Sequence, residues 1–278
     1  MPELPEVERA RRLVESVAVG RTIDRCRCAD DDIVFDGVSP QTVARRLTGR
    51  RVEAARRRGK QMWLVLDRPP HPLLHLGMTG HVRTPDDEGI VYESGAKKVD
   101  AEWPPRFWKI HVHLDDGGEF VMTNPRRLGR IRLRDEPEAE PPISELGFDA
   151  LDEVPPLPEF RRLLEGRRGN VKGLLMSQGF AAGVGNWIAD EVLYQARIDP
   201  RRDVPSLTAD EVKRLRSKLV AVVRRACDVN ADKASFPKSW LFHHRWGKNS
   251  EARTHDGKEI DHLTVAGRTT AWVPAVQR

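Results

Sequence analysis

The spacing of apolar residues predicts a helix at the start of the chain and strands after it. From Leu4 to Ala18 apolar residues recur at intervals of three and four, as in an amphipathic helix, and Gly20 marks its end. Pro5 suits the first turn of such a helix. The strand-like stretches that follow are QMWLVLD, PLLHLGMTGHV, GIVYE, RFWKIHVHL and EFVMTN. The N-terminal half is therefore predicted to be mostly sheet.

The last two of these stretches predict a β-hairpin. They are separated by DDGG at 115–118, and Asp and Gly are typical turn residues. Apolar and polar residues alternate along the first arm, as Trp108, Ile110, Val112 and Leu114 alternate with Lys109, His111 and His113. A period of two predicts a strand with one apolar and one polar face.

Beyond about residue 160 the apolar period becomes helical. The helical stretches are FRRLLEG, VKGLLMSQGF and NWIADEVLYQAR. A longer helix follows, and it opens with a capping box formed by Thr208 and Glu211. Its apolar side consists of Val212, Leu215, Leu219, Val222, Val223 and Ala226. The helical pattern stops after Asp228, and KEIDHLTVAGRTTAWVP predicts a small hairpin that closes the chain.

An acidic, proline-rich segment separates the two halves. Residues 135–159 contain nine acids, six prolines and no Lys or Arg. Because proline interrupts both helices and strands, this composition favours a linker. The predicted organisation is an N-terminal domain over 1–134, a linker over 135–159 and a C-terminal domain over 160–278. A length of 278 residues agrees with two domains.

The charge outside this linker indicates a polyanionic partner. The whole chain carries +5, but outside residues 135–159 it holds 47 basic residues against 33 acids. Such a surplus favours nucleic acid, with a solvated basic surface as the alternative. No apolar run reaches the roughly 18 residues of a membrane span, so we expect a soluble, cytoplasmic protein. We expect the three cysteines to be reduced.

The opening sequence MPELPEVE offers a nucleophile and two carboxylates. Removal of Met1 would leave Pro2 as a secondary amine, and an α-amino group with a pKa of about 8 is partly uncharged at neutral pH. Bonded to C1′ of a sugar, such an amine forms a cationic imine, the electron sink that β-elimination of a phosphate needs. Glu3 and Glu6, one helical turn apart, can donate and accept protons. Alternatively, the prolines begin the helix and the acids complement its dipole.

Further motifs suit a protein that holds DNA while one base leaves the stack. They are RRGK at 57–60, HLGMTG at 75–80, NPRRLG at 124–129 and GVGN at 183–186. Basic side chains in these motifs suit phosphates, Met78 and Leu128 suit a gap in stacked bases, and GVGN precedes a helix whose first amides suit a phosphate. The alternatives are solvated charges, ordinary loop side chains and a plain turn between helices.

Together these motifs resemble a known family. PELPEVE, RRGK, HLGMTG, NPRRLG, GVGNWIADEVLY and AGRTTAWVP are similar, in order and spacing, to those of the formamidopyrimidine-DNA glycosylase and endonuclease VIII family, over nearly the whole chain. The leucine in PELPE resembles the formamidopyrimidine branch. The C-terminal third resembles the plant and fungal forms, in which a zincless hairpin replaces the zinc finger.

The resemblance implies an α+β protein of two domains. The first would combine the N-terminal helix with an antiparallel β-sandwich. The second would be helical, with a helix-two-turn-helix element and a zincless-finger hairpin at about 243–278. The resemblance implies neither a metal site nor a cofactor.

The resemblance also implies a role for each candidate residue. Pro2 would form the Schiff base, Glu3 would open the deoxyribose as acid and base, Glu6 would support them, and Lys60 would serve both catalysis and phosphate binding. The implied DNA contacts are His75, Arg127, Lys172, Asn186 and Arg268, the last gripping phosphates beside the flipped nucleotide. The implied void-filling residues are Met78, Arg126 and Leu128, with Arg126 pairing to the orphaned base.

The implied activity is that of a bifunctional DNA glycosylase and AP lyase, which removes oxidised bases and cuts the strand by β,δ-elimination. Its substrates would be formamidopyrimidines, further-oxidised guanines and 8-oxoguanine. Two departures from the family pattern concern lesion recognition. In the first, Leu128 occupies a position where phenylalanine is usual, and its motif NPRR replaces the more usual aspartate-led version. In the second, the stretch 228–248 is short where bacterial members place a loop over an oxidised guanine.

The residues leave two other functions open. One is an endonuclease VIII-like preference for oxidised pyrimidines, and the other is a non-catalytic protein that binds damaged DNA. In each case the expected partner is double-stranded DNA with oxidised bases or abasic sites, without a membrane. We expect a monomer, cytoplasmic and nucleoid-associated in a bacterium or nuclear in a eukaryote.

Overall fold

The computed structural model describes residues 2–87, 102–246 and 251–278. The chain divides into two units, Met1–Glu145 and Leu146–Arg278. The predicted strand GIVYE at 89–93 lies outside the described residues. None of the helices in the described ranges combines the length and the apolar composition that crossing a membrane requires.

The first unit begins with the predicted helix and continues mainly as strands. Its described helices are α1 (Leu4–Ala18) and α2 (Pro40–Leu47). Its described strands are β1 (Ile23–Cys28), β2 (Val52–Arg58), β3 (Gln61–Leu66), β4 (His71–His75), β5 (His81–Arg83), β6 (Trp108–Leu114), β7 (Glu119–Thr123) and β8 (Arg130–Arg134). A 3-10 turn at Ile143–Glu145 ends the unit.

Two antiparallel sheets form the body of the first unit. Their strand orders are β1-β6-β7-β5 and β2-β3-β4-β8. Apolar side chains from both sheets and from α1 belong to one buried cluster, which includes Val7, Val14, Met62, Leu74, Ile110 and Met122. Because the two sheets share this core, the unit is a β-sandwich whose first helix packs into the same core, as expected from the sequence.

The hairpin β6–β7 has the predicted turn, but its polar face is covered. Val112 pairs with Phe120 and His113 with Glu119 across the two strands. Lys109 and His111, which belong to the polar face, are only 9% and 2% exposed. Lys109 Nζ donates a hydrogen bond to Asp31 Oδ2 at 2.6 Å. Alternation therefore identified the strand correctly without showing that both of its faces are buried at these positions.

The second unit is mainly helical. Its described helices are α3 (Leu157–Leu164), α4 (Val171–Met176), α5 (Asn186–Ala196) and α6 (Ala209–Asp228). Its described strands are β9 (Phe148–Asp149), β10 (Ala181–Ala182), β11 (Asp261–Val265) and β12 (Arg268–Trp272). Short 3-10 turns lie at Val204–Ser206, Lys233–Ser235 and Leu241–His243.

Helix α6 confirms the predicted capping box. Glu211 N donates to Thr208 Oγ1 at 3.3 Å, and Thr208 N donates to Glu211 Oε2 at 2.7 Å. All six residues of the predicted apolar side are buried. The helix therefore begins where the local sequence satisfies its first amide groups, and packing covers the side that the 3.6-residue period defines.

The acidic segment differs from the predicted linker, because it is divided between the two units. Residues 135–145 belong to the first unit, where Ile143 packs with Trp63 and Leu73. Residues 146–159 belong to the second, where Phe148 lies in β9 and its ring contacts those of Phe160 and Phe180. The few apolar residues of this segment fasten it to both bodies despite its prolines.

The closing hairpin forms from β11 and β12, but its apolar core differs in part from the set that the sequence predicts, namely Trp246, Ile260, Leu263, Val265 and Trp272. Ile260 and Val265 are buried as predicted. Trp246 is 37% exposed, and the Arg245 guanidinium lies 4.8 Å from its ring centroid. Leu263 and Trp272 are only half-buried. The hairpin core is instead completed by residues from neighbouring segments, namely Leu241, Ala271 and Val273 with Tyr194, Ala252 and Val276.

Candidate functional site

The N-terminal turn of α1 holds the predicted nucleophile and carboxylates together. Pro2 is buried, and Glu3 occupies the cap position before the helix in an extended backbone conformation. Glu3 N donates a hydrogen bond to Glu6 Oε2 at 3.0 Å. Glu6 therefore fixes the backbone immediately after Pro2.

The environment of Glu6 raises the pH at which its carboxyl group ionises. Its side chain is 3% exposed. Burial, reinforced by the nearby charge of Glu3, raises the pKa of Glu6 to about 7. A carboxyl group with such a pKa exchanges a proton readily near neutral pH, as a general acid or base must.

Lys60 lies in the two-residue turn that joins β2 and β3. Arg58 pairs with Gln61 across this turn, and Gly59 has a positive φ of 56° that permits the tight reversal. Arg57 connects the turn to the N-terminal helix. Its Nη1 donates to Gly59 O at 3.2 Å and its Nε donates to Glu8 Oε2 at 3.0 Å.

The sequence did not indicate the role of this Arg57–Glu8 pair, although Glu8 belongs to the MPELPEVE motif and Arg57 to the RRGK motif. The two side chains are 1% and 8% exposed. Glu8 also accepts hydrogen bonds from Arg11 and Arg12. Burial alone would raise the pKa of Glu8, but these arginines outweigh burial and lower it. The pair thus holds the Lys60 turn against the helix that carries Pro2.

His75 ends β4 and is a neutral imidazole at physiological pH. It pairs with Gln61 on one side and with Arg130 on the other. Burial, together with the charges of Lys60, Arg132 and Arg130, lowers the pKa of His75 to about 4. The predicted DNA contact of His75 would therefore be a hydrogen bond rather than an ion pair.

Two loops that carry the predicted void-filling residues are fastened to each other. Met78 and Leu128 are 36% and 42% exposed. Gly77 has a φ of +64°, and a Cβ atom there would collide with the Leu128 and Gly129 backbone. Met78 and Leu128 are therefore exposed apolar side chains on two backbone segments that contact each other.

Asn124, the first residue of the NPRRLG motif, joins these two loops. The sequence alone showed no sign of this role. Its side chain is fully buried. Its Nδ2 donates to Leu76 O at 2.9 Å, and its Oδ1 accepts from Leu128 N at 3.0 Å and from Gly129 N at 3.2 Å. One amide thus fixes the relative position of the loops that present Met78 and Leu128.

The two arginines of the NPRR motif have different surroundings. Arg126 is exposed, as a residue that reaches a base must be. Arg127 Nη2 lies 2.9 Å from Asp31 Oδ1, and its side chain remains 48% exposed. Burial alone would raise the pKa of Asp31, but hydrogen bonds from Arg127 and Lys109 lower it to about 2. The guanidinium of Arg127 is therefore already paired with Asp31, and a DNA phosphate would have to share that guanidinium with the carboxylate.

In the second unit, the GVGN motif forms the start of α5. Gly183 has a φ of +97°, and Gly185 caps the helix with no side chain of its own. Asn186, the first residue of α5, donates from Nδ2 to Thr269 O at 2.9 Å. The motif thus places the positive end of a helix dipole beside the closing hairpin.

Lys172, a predicted DNA contact, is paired inside the second unit. Its side chain is 0% exposed, and its Nζ lies 2.7 Å from Asp190 Oδ1. It also donates a hydrogen bond to Thr270 Oγ1 at 2.5 Å. In this structure Lys172 ties α4 to α5 and β12, and its side chain presents no surface to a ligand.

Arg268 is exposed at the tip of the closing hairpin, as the sequence predicts. Val265 pairs with Arg268, and the two residues between them, Ala266 and Gly267, both have positive φ angles. Turns of this kind match the twist of a hairpin. The Asn186 and Lys172 contacts with Thr269 and Thr270 fasten the strand that follows Arg268.

Comparisons with known proteins point to one family. The family model described as Formamidopyrimidine-DNA glycosylase N-terminal domain matches residues 1–131, and the one described as Formamidopyrimidine-DNA glycosylase H2TH domain matches residues 146–238. A formamidopyrimidine-DNA glycosylase of Arabidopsis thaliana is 44% identical over 278 residues, covering 100% of this chain and 71% of its own. One of Herpetosiphon aurantiacus is 31% identical, with 100% of both chains covered.

Solved structures share the fold. A Lactococcus lactis formamidopyrimidine-DNA glycosylase in complex with FAPY-dG containing DNA superposes with a TM-score of 0.79 at 23% identity, covering 99% of this chain and 100% of that one. MutM in complex with DNA that contains carbocyclic 8-oxo-G gives a TM-score of 0.80 at 23% identity, with 100% of both chains covered.

Proposed function

Because the chain belongs to the formamidopyrimidine-DNA glycosylase family, we propose that it is a bifunctional DNA glycosylase and AP lyase of base excision repair. It removes formamidopyrimidines and further-oxidised guanines from double-stranded DNA and then cuts the strand. The observation that carries this proposal is the turn Pro2-Glu3-Leu4-Pro5-Glu6, in which a buried carboxyl group with a pKa of about 7 holds the backbone next to a potential amine nucleophile.

The chemistry begins at Pro2 after removal of Met1. The uncharged secondary amine attacks C1′, the C1′–N bond to the damaged base breaks, and the base leaves with a proton. The amine nitrogen and C1′ then form a cationic imine. This imine accepts the electron pair released when the C2′ proton is removed, so the 3′ phosphate leaves by β-elimination. A second elimination releases the 5′ phosphate.

Glu3 and Glu6 move protons in this sequence, and Lys60 supplies positive charge. Glu3 protonates the deoxyribose ring oxygen as the ring opens and takes a proton back later. Glu6 supports it by holding the Glu3 amide and by exchanging a proton near neutral pH. The ammonium group of Lys60 stabilises a phosphate, and the Arg57–Glu8 pair keeps its turn against α1.

Recognition of the lesion rests on the two loops that Asn124 joins. Met78 and Leu128 fill the space that the flipped nucleotide leaves, because both are exposed apolar side chains on adjoining backbone. Arg126 hydrogen-bonds the orphaned base. An enzyme that acts on a base within a duplex must replace the lost stacking in this way.

Each unit carries residues that contact the DNA backbone. His75 and Arg127 contribute from the first, and Asn186 with Arg268 from the second. Lys172 acts indirectly by positioning β12, since it is fully buried. The protein acts as a monomer on DNA with oxidised bases or abasic sites, in the compartment that holds DNA: the bacterial nucleoid or the nucleus.

Trapping with borohydride tests the nucleophile. Borohydride reduces an imine and leaves protein covalently bound to DNA. We expect efficient trapping by the natural sequence and by Pro5→Ala, which changes a proline of the same turn that carries no terminal amine. Pro2→Gly should trap far more slowly, and so should a form in which Met1 is retained. Trapping of Pro2→Gly at the unaltered rate, through an internal lysine, would refute the assignment.

Glu3→Gln separates catalysis from binding. Base excision should fall by roughly a hundredfold or more, while affinity for lesion DNA stays unchanged because phosphate contacts provide it. If excision is unchanged, Glu3 is not the acid/base.

Duplexes with single defined lesions distinguish the remaining functions. Preferred excision of oxidised pyrimidines supports the endonuclease VIII-like function, and binding without excision supports a recognition protein.

A further inference from the structure

Two histidines and a glutamate form a cluster on the hairpin β6–β7. His111 and His113 are two residues apart on β6, so their side chains share one face of the strand. Glu119, the first residue of β7, lies directly opposite His113 in the strand register. The hairpin therefore gathers two imidazoles and one carboxylate by its backbone geometry alone.

The three side chains converge at short distances. His111 Nε2 lies 2.5 Å from Glu119 Oε2, and His113 Nδ1 lies 3.4 Å from the same oxygen. The two imidazole ring centroids are 4.0 Å apart. One potential ligand atom from each side chain lies within 4.8 Å of the other two. Ligand atoms of a tetrahedral Zn²⁺ site are about 3.4 Å apart, so small side-chain rotations would admit an ion.

Hydrogen bonding within the cluster does not satisfy all of its buried nitrogens. His111 is 2% exposed, and its Nδ1 has no hydrogen-bond partner among the described residues. His113 Nε2 likewise has no hydrogen-bond partner among these residues. The side chains of His113 and Glu119 are 22% and 21% exposed, so the cluster is closed on the His111 side and accessible on the other.

We propose that His111, His113 and Glu119 bind a divalent transition-metal ion. Two imidazoles and a carboxylate are a ligand set that suits Zn²⁺ and its neighbours, whereas Mg²⁺ and Ca²⁺ prefer oxygen ligands. Three protein ligands leave one position of a tetrahedral ion for water. The site joins the two arms of the hairpin and is independent of the chemistry at Pro2.

Neighbouring charges limit the affinity of this site. Arg27 and Arg25 of β1 lie opposite His111 and His113 in the register, on the same face as the cluster. Their guanidinium groups oppose a dication, and Glu119 offsets only one positive charge. The affinity should therefore be lower than that of a closed zinc site with four protein ligands.

Metal titration of the complete chain tests the proposal. The protein is stripped with a chelator, dialysed, and titrated with Co²⁺, whose visible absorption reports tetrahedral coordination, and with Zn²⁺ followed by elemental analysis. We expect one equivalent bound and a rise in the unfolding temperature on adding Zn²⁺. Binding should weaken at least roughly tenfold in His113→Gln and in Glu119→Gln. These positions are chosen because, unlike His111, they are partly exposed, and unfolding without metal confirms that both variants fold.

His255→Gln is the matched control, since it removes an exposed histidine of the second unit. It should bind metal as the natural sequence does. Absence of binding by the natural sequence would overturn the proposal and leave the cluster as a hydrogen-bonded His–Glu pair. Equal binding by His113→Gln, Glu119→Gln and the natural sequence would also overturn it.

Discussion

Lys172 Nζ lies 2.7 Å from Asp190 Oδ1, and both side chains are completely buried. The other carboxylate oxygen of Asp190 lies 2.6 Å from Arg245 Nη2 and accepts a hydrogen bond from Ala271 N at 3.1 Å. Asp190 in α5 therefore ties together α4, the segment after Leu241–His243, and β12 of the closing hairpin. Crosslinking of this kind is what a structural zinc ion provides in a metal-bound finger.

Asp190→Asn should destabilise the protein by about 3–5 kcal/mol, because it leaves two buried cations without their counter-ion. Urea unfolding of the complete chain measures the change. Glu259→Gln is the control, since Glu259 pairs with Arg253 at the surface, where both side chains are more than half exposed. The control should change the free energy of unfolding by less than about 0.5 kcal/mol. Equal effects of the two substitutions would contradict the role of Asp190.

Glu6 should make stability fall as the pH rises from about 4.5 to about 7. The pKa of Glu6 is raised from 4.5 to about 7 by burial and by Glu3. Over that interval the unfolded chain releases the proton of Glu6 while the folded chain keeps it, so ionisation favours unfolding. The difference corresponds to about 3 kcal/mol above pH 7.

Glu6→Gln removes this ionisation and should flatten the corresponding part of the stability curve. Thermal unfolding of both proteins at pH 4, 5.5, 7 and 8 provides the measurement. The natural sequence should lose stability relative to Glu6→Gln as the pH rises, with the gap constant above about pH 8. A gap that does not change with pH would show that Glu6 ionises normally.

Asn124→Ala should affect excision more broadly than Leu128→Ala. The first substitution removes three hydrogen bonds and should lower the free energy of unfolding by about 1–3 kcal/mol, and it should slow base excision because both wedge loops lose their common anchor. Leu128→Ala leaves the loops in place, so stability should change by less than about 0.5 kcal/mol.

The comparison requires excision rates on duplexes with each opposite base. Leu128→Ala should reduce excision only modestly, since leucine does not stack as an aromatic wedge does. Arg126→Ala should instead reduce the difference between opposite bases. If Asn124→Ala behaves like Leu128→Ala in both stability and rate, the bridging amide does not control the loops.

Arg268→Ala and Lys60→Ala should each weaken the salt dependence of DNA binding. Loss of one phosphate contact lowers the slope of log K against log salt concentration by about one. Binding titrations between about 50 and 200 mM salt measure it. Arg253→Ala, which removes an exposed arginine of the same unit as Arg268, should leave the slope unchanged. Slopes that are unaltered in both test variants would show that neither residue touches the backbone.

The finger should keep its fold and the enzyme its strand cleavage after treatment with a chelator. Two histidines of the finger already contact backbone oxygens, and the cysteine that precedes the finger is buried. His243 Nε2 lies 3.3 Å from Phe236 O, His262 Nε2 lies 3.3 Å from Arg245 O, and Cys227 is buried. Zinc content should be measured in Glu119→Gln, so that metal bound to the hairpin of the first unit does not enter the result. Stoichiometric zinc in that variant, or cleavage lost on chelation and restored by zinc, would contradict this prediction.

Local sequence determined the elements whose stability depends on near neighbours. Helix α1, the DDGG hairpin and the capping box of α6 all follow from residues within one or two turns of each other. The same holds for Pro2, Glu3 and Glu6, because three-residue spacing places the two carboxylates on one helical turn. Strand β2 was missed because its run of three arginines shows no period of two. Strand β8 was missed although RIRLR alternates, because it lies within the NPRRLG-to-linker stretch and is only five residues long.

Tertiary structure decided which charged residues face solvent. Lys172 and Thr270 are 98 residues apart, and Arg127 and Asp31 are 96 apart, so no local pattern shows that these side chains meet. Lys172 was predicted to contact DNA and is instead buried against Asp190. A lysine has the same chemistry in both settings, but burial requires a counter-ion that only the folded chain brings within reach. Local spacing therefore identifies candidate charges, whereas the fold determines which of them remain accessible to DNA.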